Sequence, residues 1–143
     1  MKPHKLPYEE FKRIYSKVPR LCVDLIIKSN EGILLTKREI PPYKGYWHLP
    51  GGTVLYGERL TETINRVAKE ETGLDIVVEK ALGTIEFPIT SKNMHTISMG
   101  FLLKILGGKI SGCSQAKEIK FFKILPRKII TEHEEFLAKN NLI

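Results

Sequence analysis

The stretch 49–74, LPGGTVLYGERLTETINRVAKEETGL, constrains this chain more than any other segment, because it runs an apolar helical stripe into a pair of charges. Leu60, Ile64, Val67 and Ala68 recur at the spacing of one helix face, which predicts an amphipathic helix from Leu60 onward. One turn beyond Val67 the stripe reaches Glu71, with Glu70 beside it. A carboxylate turned toward the covered side of a helix needs a cation, a hydrogen-bond donor or a proton, since leaving it bare is costly. Two adjacent carboxylates sharpen the demand, because each raises the other's pKa unless positive charge lies between them. Glu58, Glu62, Arg66 and Glu70 follow at successive helical turns, so Arg66 has acidic neighbours on both sides. Gly73 is expected to end the helix as a left-handed cap, and Pro50-Gly51-Gly52 permits a tight backbone that brings carbonyls close to a ligand. The pattern admits two readings. One is a solvated helix with ordinary i,i+4 pairs. The other is a divalent-cation site formed by Glu70, Glu71 and a carbonyl of the Gly51-Gly52 turn, whose few hard oxygen donors suit magnesium.

A chain of 143 residues forms one domain, 1–143, large enough to bury a core without disulfides or structural metals. The formal net charge of +7 favours anionic partners. Its lysines are scattered and no aromatic-basic interleaving accompanies them, so the expectation is a small phosphorylated molecule and not nucleic acid. Cys22 and Cys113 make neither a metal spacing nor a disulfide framework, which predicts buried thiols in a reducing cytoplasm. No apolar run is long enough to span a bilayer and no secretory h-region opens the chain, so no membrane role is expected.

In chain order, residues 1–20 form a helical extension, with a helix over Tyr8–Lys17 closed by Pro19. Leu21–Lys28 is apolar on both faces, as a central strand is, apart from Asp24, which needs a partner. Ser29–Gly32 turns the chain into a second strand, Ile33–Arg38, at whose end Arg38 could grip a phosphate. A proline-stiffened loop follows. Trp47 reads as core, and Tyr43 and Lys44 at the loop tip are placed to touch substrate. Beyond the helix, Asp75–Thr84, Ile85–Phe87 and Met94–Leu106 read as strands, Gly107-Gly108 as a turn, and 109–117 as a loop. Glu118–Leu125 is a last strand; Pro126–Ile130 reads as a short helical piece and Thr131–Asn140 as a helix, with Thr131 and Glu134 spaced as a capping box. Strands with short antiparallel connections, one strong central helix and another at the end define an α+β, or mixed α/β, class.

The residues Gly52, Glu58, Arg66, Ala68, Glu70, Glu71, Gly73 and Leu74 resemble the Nudix box: Gly, five residues, Glu, seven residues, then Arg-Glu-aliphatic-x-Glu-Glu-x-Gly-aliphatic. The lead-in Gly45-Tyr46-Trp47 and Pro50-Gly51-Gly52 is similar to that of the family as well. The resemblance implies an α/β/α sandwich around a mixed sheet, with residues 49–74 as a loop-helix-loop whose Glu pair faces a metal. It also implies Mg²⁺, or Mn²⁺ in its place, as cofactor, and a nucleotide as the small-molecule partner; a homodimer is compatible with it. Val67 departs from the pattern, standing where the family has a Glu that ligates metal and often serves as the base.

The GDP-mannose mannosyl hydrolase subfamily also carries an aliphatic residue there and attacks a sugar carbon. The chain resembles it at Asp24, Lys37-Arg38 and the glycine-rich lead-in. That resemblance implies metal ligation by Gly52, Glu71 and Gln115, and departs again at Ala116, where the subfamily has a histidine base. Glu118 is then a candidate base, with His95 and His48 behind it. The expected roles follow: Glu70, Glu71, Gly52 and Gln115 toward metal; Arg66, Glu71, Arg38 and Glu118 toward catalysis; Asp24, Arg38, Tyr43 and Lys44 toward substrate. Arg66 is expected to orient the carboxylates through its i,i+4 partner, and Glu58 to play a comparable supporting part. The implied function is hydrolysis of a nucleoside diphosphate joined to another group, a GDP-mannose-like nucleotide sugar first. An ordinary pyrophosphatase on a nucleoside triphosphate or ADP-ribose is the alternative, and a non-catalytic nucleotide-binding module the other class.

Overall fold

The computed structural model describes residues 3–41, 43–90, 93–111 and 116–143, with Ala116 and Lys117 described in their backbone alone. Ten elements follow one another: α1 (Tyr8–Tyr15), β1 (Arg20–Ser29), β2 (Gly32–Arg38), β3 (Trp47–His48), β4 (Gly51–Thr53), α2 (Leu60–Thr72), β5 (Leu74–Glu86), β6 (Thr96–Gly108), β7 (Ala116–Phe122) and α3 (Thr131–Lys139). The strands form one seven-stranded sheet ordered β3-β2-β1-β6-β5, with β4 added to β1 and β7 added to β2. Among the described strands only β1 and β6 pair in parallel, and Trp47 adds an isolated parallel bridge to Ile129. The sheet is therefore mixed, and β1 at its centre is apolar on both faces because both are covered.

Period-two alternation along β1 sorts its side chains between two cores. Val23, Leu25 and Ile27 meet Ile64, Val67 and Ala68 of α2; Ile26 meets Phe136 and Leu137 of α3, with Trp47, Leu49 and Ile129. Helices thus cover opposite faces, giving the sandwich. Gly73 closes α2 with φ 77°, its N–H donating to the Lys69 carbonyl, and the chain turns directly into β5. Among the described residues no helix is long and apolar enough to cross a membrane.

Several boundaries differ from the sequence expectation, each for a tertiary reason. The expected strands Asp75–Thr84 and Ile85–Phe87 are one strand, β5 (Leu74–Glu86), interrupted by bulges, because β6 offers a partner along its length. Gly107 and Gly108 do not turn; they extend β6, paired with Asp75 and Leu74. β7 begins at Ala116, two residues early, and ends at Phe122, where its pairing with Ile33 ends. The stretch Pro126–Ile130 is not helical: Trp47 N–H donates to Lys128 O and Ile130 N–H to Trp47 O, so β3 claims its backbone. Thr131 lies inside α3 and Ile130 is the cap residue, so the expected Thr131–Glu134 capping box does not form. α1 is two residues shorter than expected, and none of its residues is buried.

The β1–β2 turn depends on Gly32, which has φ +115° and whose missing side chain leaves room for the Phe122 carbonyl. Gly32→Ala should therefore destabilise the fold by roughly 1–3 kcal/mol, as strained positive-φ positions do. A urea melt should show a lower midpoint with an unchanged slope.

Candidate active site

The box helix is tied to the sheet by one guanidinium. Arg66 Nε donates to Glu58 Oε2 at 2.8 Å and Nη2 to Glu58 Oε1 at 3.0 Å, a bidentate fork. Its Nη2 also donates to the Thr53 carbonyl at 2.8 Å, and its Nη1 to Glu70 Oε1 at 2.8 Å. Glu58 itself is fixed by the Leu55 N–H and the Thr63 hydroxyl, both reaching Oε1. Its side chain is only 4% exposed, so the pair works in a medium that screens it weakly. The hydrogen bonds from Arg66, opposed by burial and helped by those from Leu55 and Thr63, hold Glu58 down at about 2. Arg66 is raised correspondingly by Glu58. The i,i+4 spacing placed Arg66 beside Glu70; the stronger partner, Glu58, precedes the helix and reaches back to it.

Glu70 presents its second oxygen away from Arg66, and Lys5 Nζ donates to that oxygen at 2.7 Å. Burial pushes Glu70 up, but the hydrogen bonds from Lys5 and Arg66 outweigh it and hold the carboxyl below its ordinary range. Glu71 is half-buried next to it. Gly52 backs directly onto Val67: a Cβ at 52 would stand 2.9 Å from Val67 Cγ2, so a larger residue there would push α2 away. Val67 is 2% exposed and belongs to the core under α2. The position that departs from the box pattern is thus a packing position here.

Gly51 is crowded on the other side by Asp24, whose Oδ1 occupies the space of a side chain. Asp24 is 6% exposed, and His133 Nε2 lies 3.3 Å from its Oδ2. His133 Nδ1 accepts the Leu49 N–H at 3.0 Å, so its proton sits on Nε2 and points to Asp24. The first turn of α3 therefore holds both the strand aspartate and the loop leading into the glycines. The partner that Asp24 requires comes from 109 positions along the chain, a distance that no periodicity reveals.

The remaining expected residues divide. Arg38 is half-buried at the end of β2, its Nη2 3.5 Å from the Pro41 carbonyl; desolvation, then the charge of Arg20, lower its pKa. Tyr43 and Lys44 are exposed at the loop tip, where Tyr43 adopts φ 63° and meets Tyr46 edge-on. Trp47 is core, packed against Phe122, with the ammonium groups of Lys37 and Lys120 about its ring. Glu118 pairs with Lys37 at 3.5 Å. Ile119 and Phe121 face the α2 core, so strand alternation turns Glu118 to the opposite side of the sheet from Glu70 and Glu71.

His48 is pulled down to about 4 by desolvation, and Thr36 and the Leu49 carbonyl occupy its two nitrogens. His95 lies just before β6, its carbonyl accepting the Arg20 N–H, and it lines a shallow cleft with Tyr15 and Lys17. Cys22 is buried and its thiol is pushed up to about 11 by burial, leaving it unreactive. Gln115 and Cys113 lie outside the described residues.

With this geometry in place, comparison with known proteins identifies the class. The NUDIX domain model matches residues 18–140, and the chain belongs to that family. It is a Nudix hydrolase. Over 121 residues it is 40% identical to the ADP-ribose pyrophosphatase of Methanocaldococcus jannaschii, covering 83% of this chain and 71% of that protein. Over 125 residues it is 36% identical to the low-salt glycan biosynthesis protein Agl8 of Haloferax volcanii, covering 83% and 80%. Among solved structures it is similar to a MutT Nudix hydrolase from Burkholderia pseudomallei, with TM-score 0.75 and 25% identity over 85% of this chain and 98% of that one.

The Glu58–Arg66 fork gives a pH-dependent expectation. Because the folded-state pKa of Glu58 is depressed to about 2 from 4.5, its stabilisation is present above 4.5 and drains away as pH falls toward 2. Glu58→Gln should cost about 1.5–3 kcal/mol at neutral pH, the range for hydrogen bonds to charged groups. The gap in urea midpoint between variant and wild type should close as pH is lowered from 5 to 2.

Proposed function

We propose that the chain hydrolyses a nucleoside diphosphate joined to a second moiety, with ADP-ribose the first substrate to test. The observation that carries this reading is Glu70, held in the last turn of α2 by an arginine that also reaches Glu58 and the Thr53 carbonyl of β4, with Glu71 adjacent to it in sequence. The relative named ADP-ribose pyrophosphatase, 40% identical, supports the substrate class.

The family implies a divalent cation, and the donor set suits one. Among the described residues no group of three or more His, Cys, Asp or Glu is placed to hold a metal ion by itself. Two carboxylates and a backbone carbonyl make a sparse, all-oxygen set, which favours Mg²⁺ (or Mn²⁺) sharing its remaining positions with water and substrate phosphates. The outer oxygen of Glu70 already attracts a positive group, Lys5. In this reading Glu70, Glu71 and Gly52 hold the ion, and Gln115 is assigned to it by resemblance. When bound, it neutralises phosphate oxygens and stabilises charge developing on the leaving group.

The chain's own residues do the rest. Arg66 fixes Glu70 and keeps one face of the pair from turning away. Arg38 takes an outer phosphate, its guanidinium partly stripped of water and so the readier to bind an anion. Tyr43 and Lys44 meet the nucleotide at the open rim. Asp24 acts through His133 on the loop that leads to Gly51, as a positioning group and not as an exposed contact. Water attacks phosphorus, its oxygen bonding there as the phosphoanhydride P–O bond breaks, and ADP-ribose yields AMP and ribose 5-phosphate.

A second reading, attack at the anomeric carbon of a nucleotide sugar, is favoured by Val67. With no carboxylate at that position, a route needing less help in activating water gains ground, since general-base assistance is worth roughly 10²–10⁴ in rate. The similarity to Agl8, named for glycan biosynthesis, leans the same way.

Hydrolysis in H₂¹⁸O separates the two. With ADP-ribose, label is expected in a phosphate of AMP or ribose 5-phosphate. Label in free sugar from an anomerically linked nucleotide sugar selects the second reading, and no turnover on either class rejects both. Glu71→Gln should abolish Mg²⁺-dependent turnover while leaving the urea midpoint nearly unchanged; full activity would remove Glu71 from the site. Val67→Glu places an unpaired charge against Gly52 and the α2 core, so we expect it to lose about 3–5 kcal/mol of stability and gain no phosphorus-directed activity. Faster release of phosphate-labelled product would show instead that this position can carry the base.

A further inference from the structure

α1 is strongly amphipathic in sequence yet buries no residue, and it lies outside the matched family region, which begins at residue 18. Phe11, Ile14 and Tyr15 are half-buried, and two contacts of the arm with the rest of the chain are polar or cation–ring. At one end Lys5 donates to the outer oxygen of Glu70; further along, the Phe11 ring lies over the Arg20 guanidinium, 5.7 Å from centroid to carbon. Arg20 in turn donates to the Thr53 hydroxyl, and the carbonyl of that same Thr53 receives Arg66, which holds the inner oxygen of Glu70. The arm and the box helix thus form a closed ring of contacts: Lys5, Glu70, Arg66, Thr53, Arg20, Phe11. Both oxygens of Glu70 are engaged by cations, one belonging to the fold and one to a side chain 68% exposed.

We propose that residues 3–17 form an autoinhibitory strap, in which the Lys5 ammonium stands in for the divalent cation on Glu70 and must leave before the ion can use that oxygen. The inference rests on the reading of Glu70 as a metal ligand. The two competing states differ in cost. Arg66 is forked, partly buried and shared with Glu58, so it stays. Lys5 makes a single exposed bond, which is weak and screened by salt, so it is the partner that yields. A strap held this loosely tunes metal affinity without abolishing it.

The test is Mn²⁺ binding to the full chain, read from the loss of the free-ion electron paramagnetic resonance signal, for wild type, Lys5→Ala and Lys12→Ala. Lys12 carries the same charge on the same arm but pairs with Glu9, so its removal controls for net charge. Lys5→Ala should bind Mn²⁺ about two- to five-fold more tightly than wild type, the range an exposed ion pair supports, and Lys12→Ala should not. Saturating Mn²⁺ should also speed tryptic cleavage within the wild-type arm. Equal affinities in all three proteins, or an equal gain in both variants, would overturn the strap. Mn²⁺ binding that Glu71→Gln leaves unchanged, or no binding by any variant, would overturn the metal site beneath it as well.

Discussion

The structure around the candidate site depends on how one arginine spends its donors. Arg66 reaches Glu58 with Nε and Nη2, the Thr53 carbonyl with that same Nη2, and Glu70 with Nη1, so a single side chain joins the loop before α2, the end of β4 and the last turn of the helix. A planar guanidinium suits this task because its donors point in fixed, diverging directions; a lysine in its place would supply one point charge. Enclosing Glu58 almost completely would be unfavourable without such a partner, and the fork together with the Leu55 N–H and Thr63 hydroxyl meets that requirement. Glu70 is consequently delivered in one orientation, with only its outer oxygen left to choose a partner.

Packing beneath the helix is as strict as the polar network above it. Gly52 lets α2 approach β4 until the two nearly touch through Val67, and Arg66 then bridges from Glu70 to the Thr53 carbonyl at the end of that strand. The position where the family pattern has an acid is here filled by a branched apolar side chain in a dry contact. On the opposite face, His133 spans the gap between α3 and the loop by accepting from Leu49 and pointing its proton at Asp24. A helix near the end of the chain thereby stiffens the segment that precedes Gly51. Gly51 and Gly52 do not form the expected turn: they run extended in β4, paired with Asp24 and Val23 of β1, because a neighbouring strand takes up their backbone.

Much of this was legible in the sequence. The α2 stripe, the Gly73 cap, the two-faced β1 strand and the hairpin at Ser29–Gly32 all follow from local periodicity and turn chemistry, and the structure contains each of them. The box spacing from Gly52 to Leu74 also carries the family resemblance. The expectations that failed were those in which a distant strand outbids a local preference. Gly107-Gly108 looks like a turn until β5 offers its backbone, and Pro126–Ile130 looks helical until β3 claims its donors and acceptors. The pairing of Glu118 with Lys37 likewise depends on which face of β7 meets the sheet's interior, a property of register and not of composition.

By itself, then, the sequence determined that a helix ends in paired acids and is closed by a left-handed glycine, because helical spacing and glycine's freedom act over a few residues. Only the tertiary structure decided what those acids face. Glu58 became the buried half of a fork, Val67 became core, Asp24 found a histidine, and Lys5 came to rest on Glu70 across 65 positions of chain. Each of those outcomes is a contact between segments remote in sequence, and such contacts exist only once hydrophobic burial has set the layers in place.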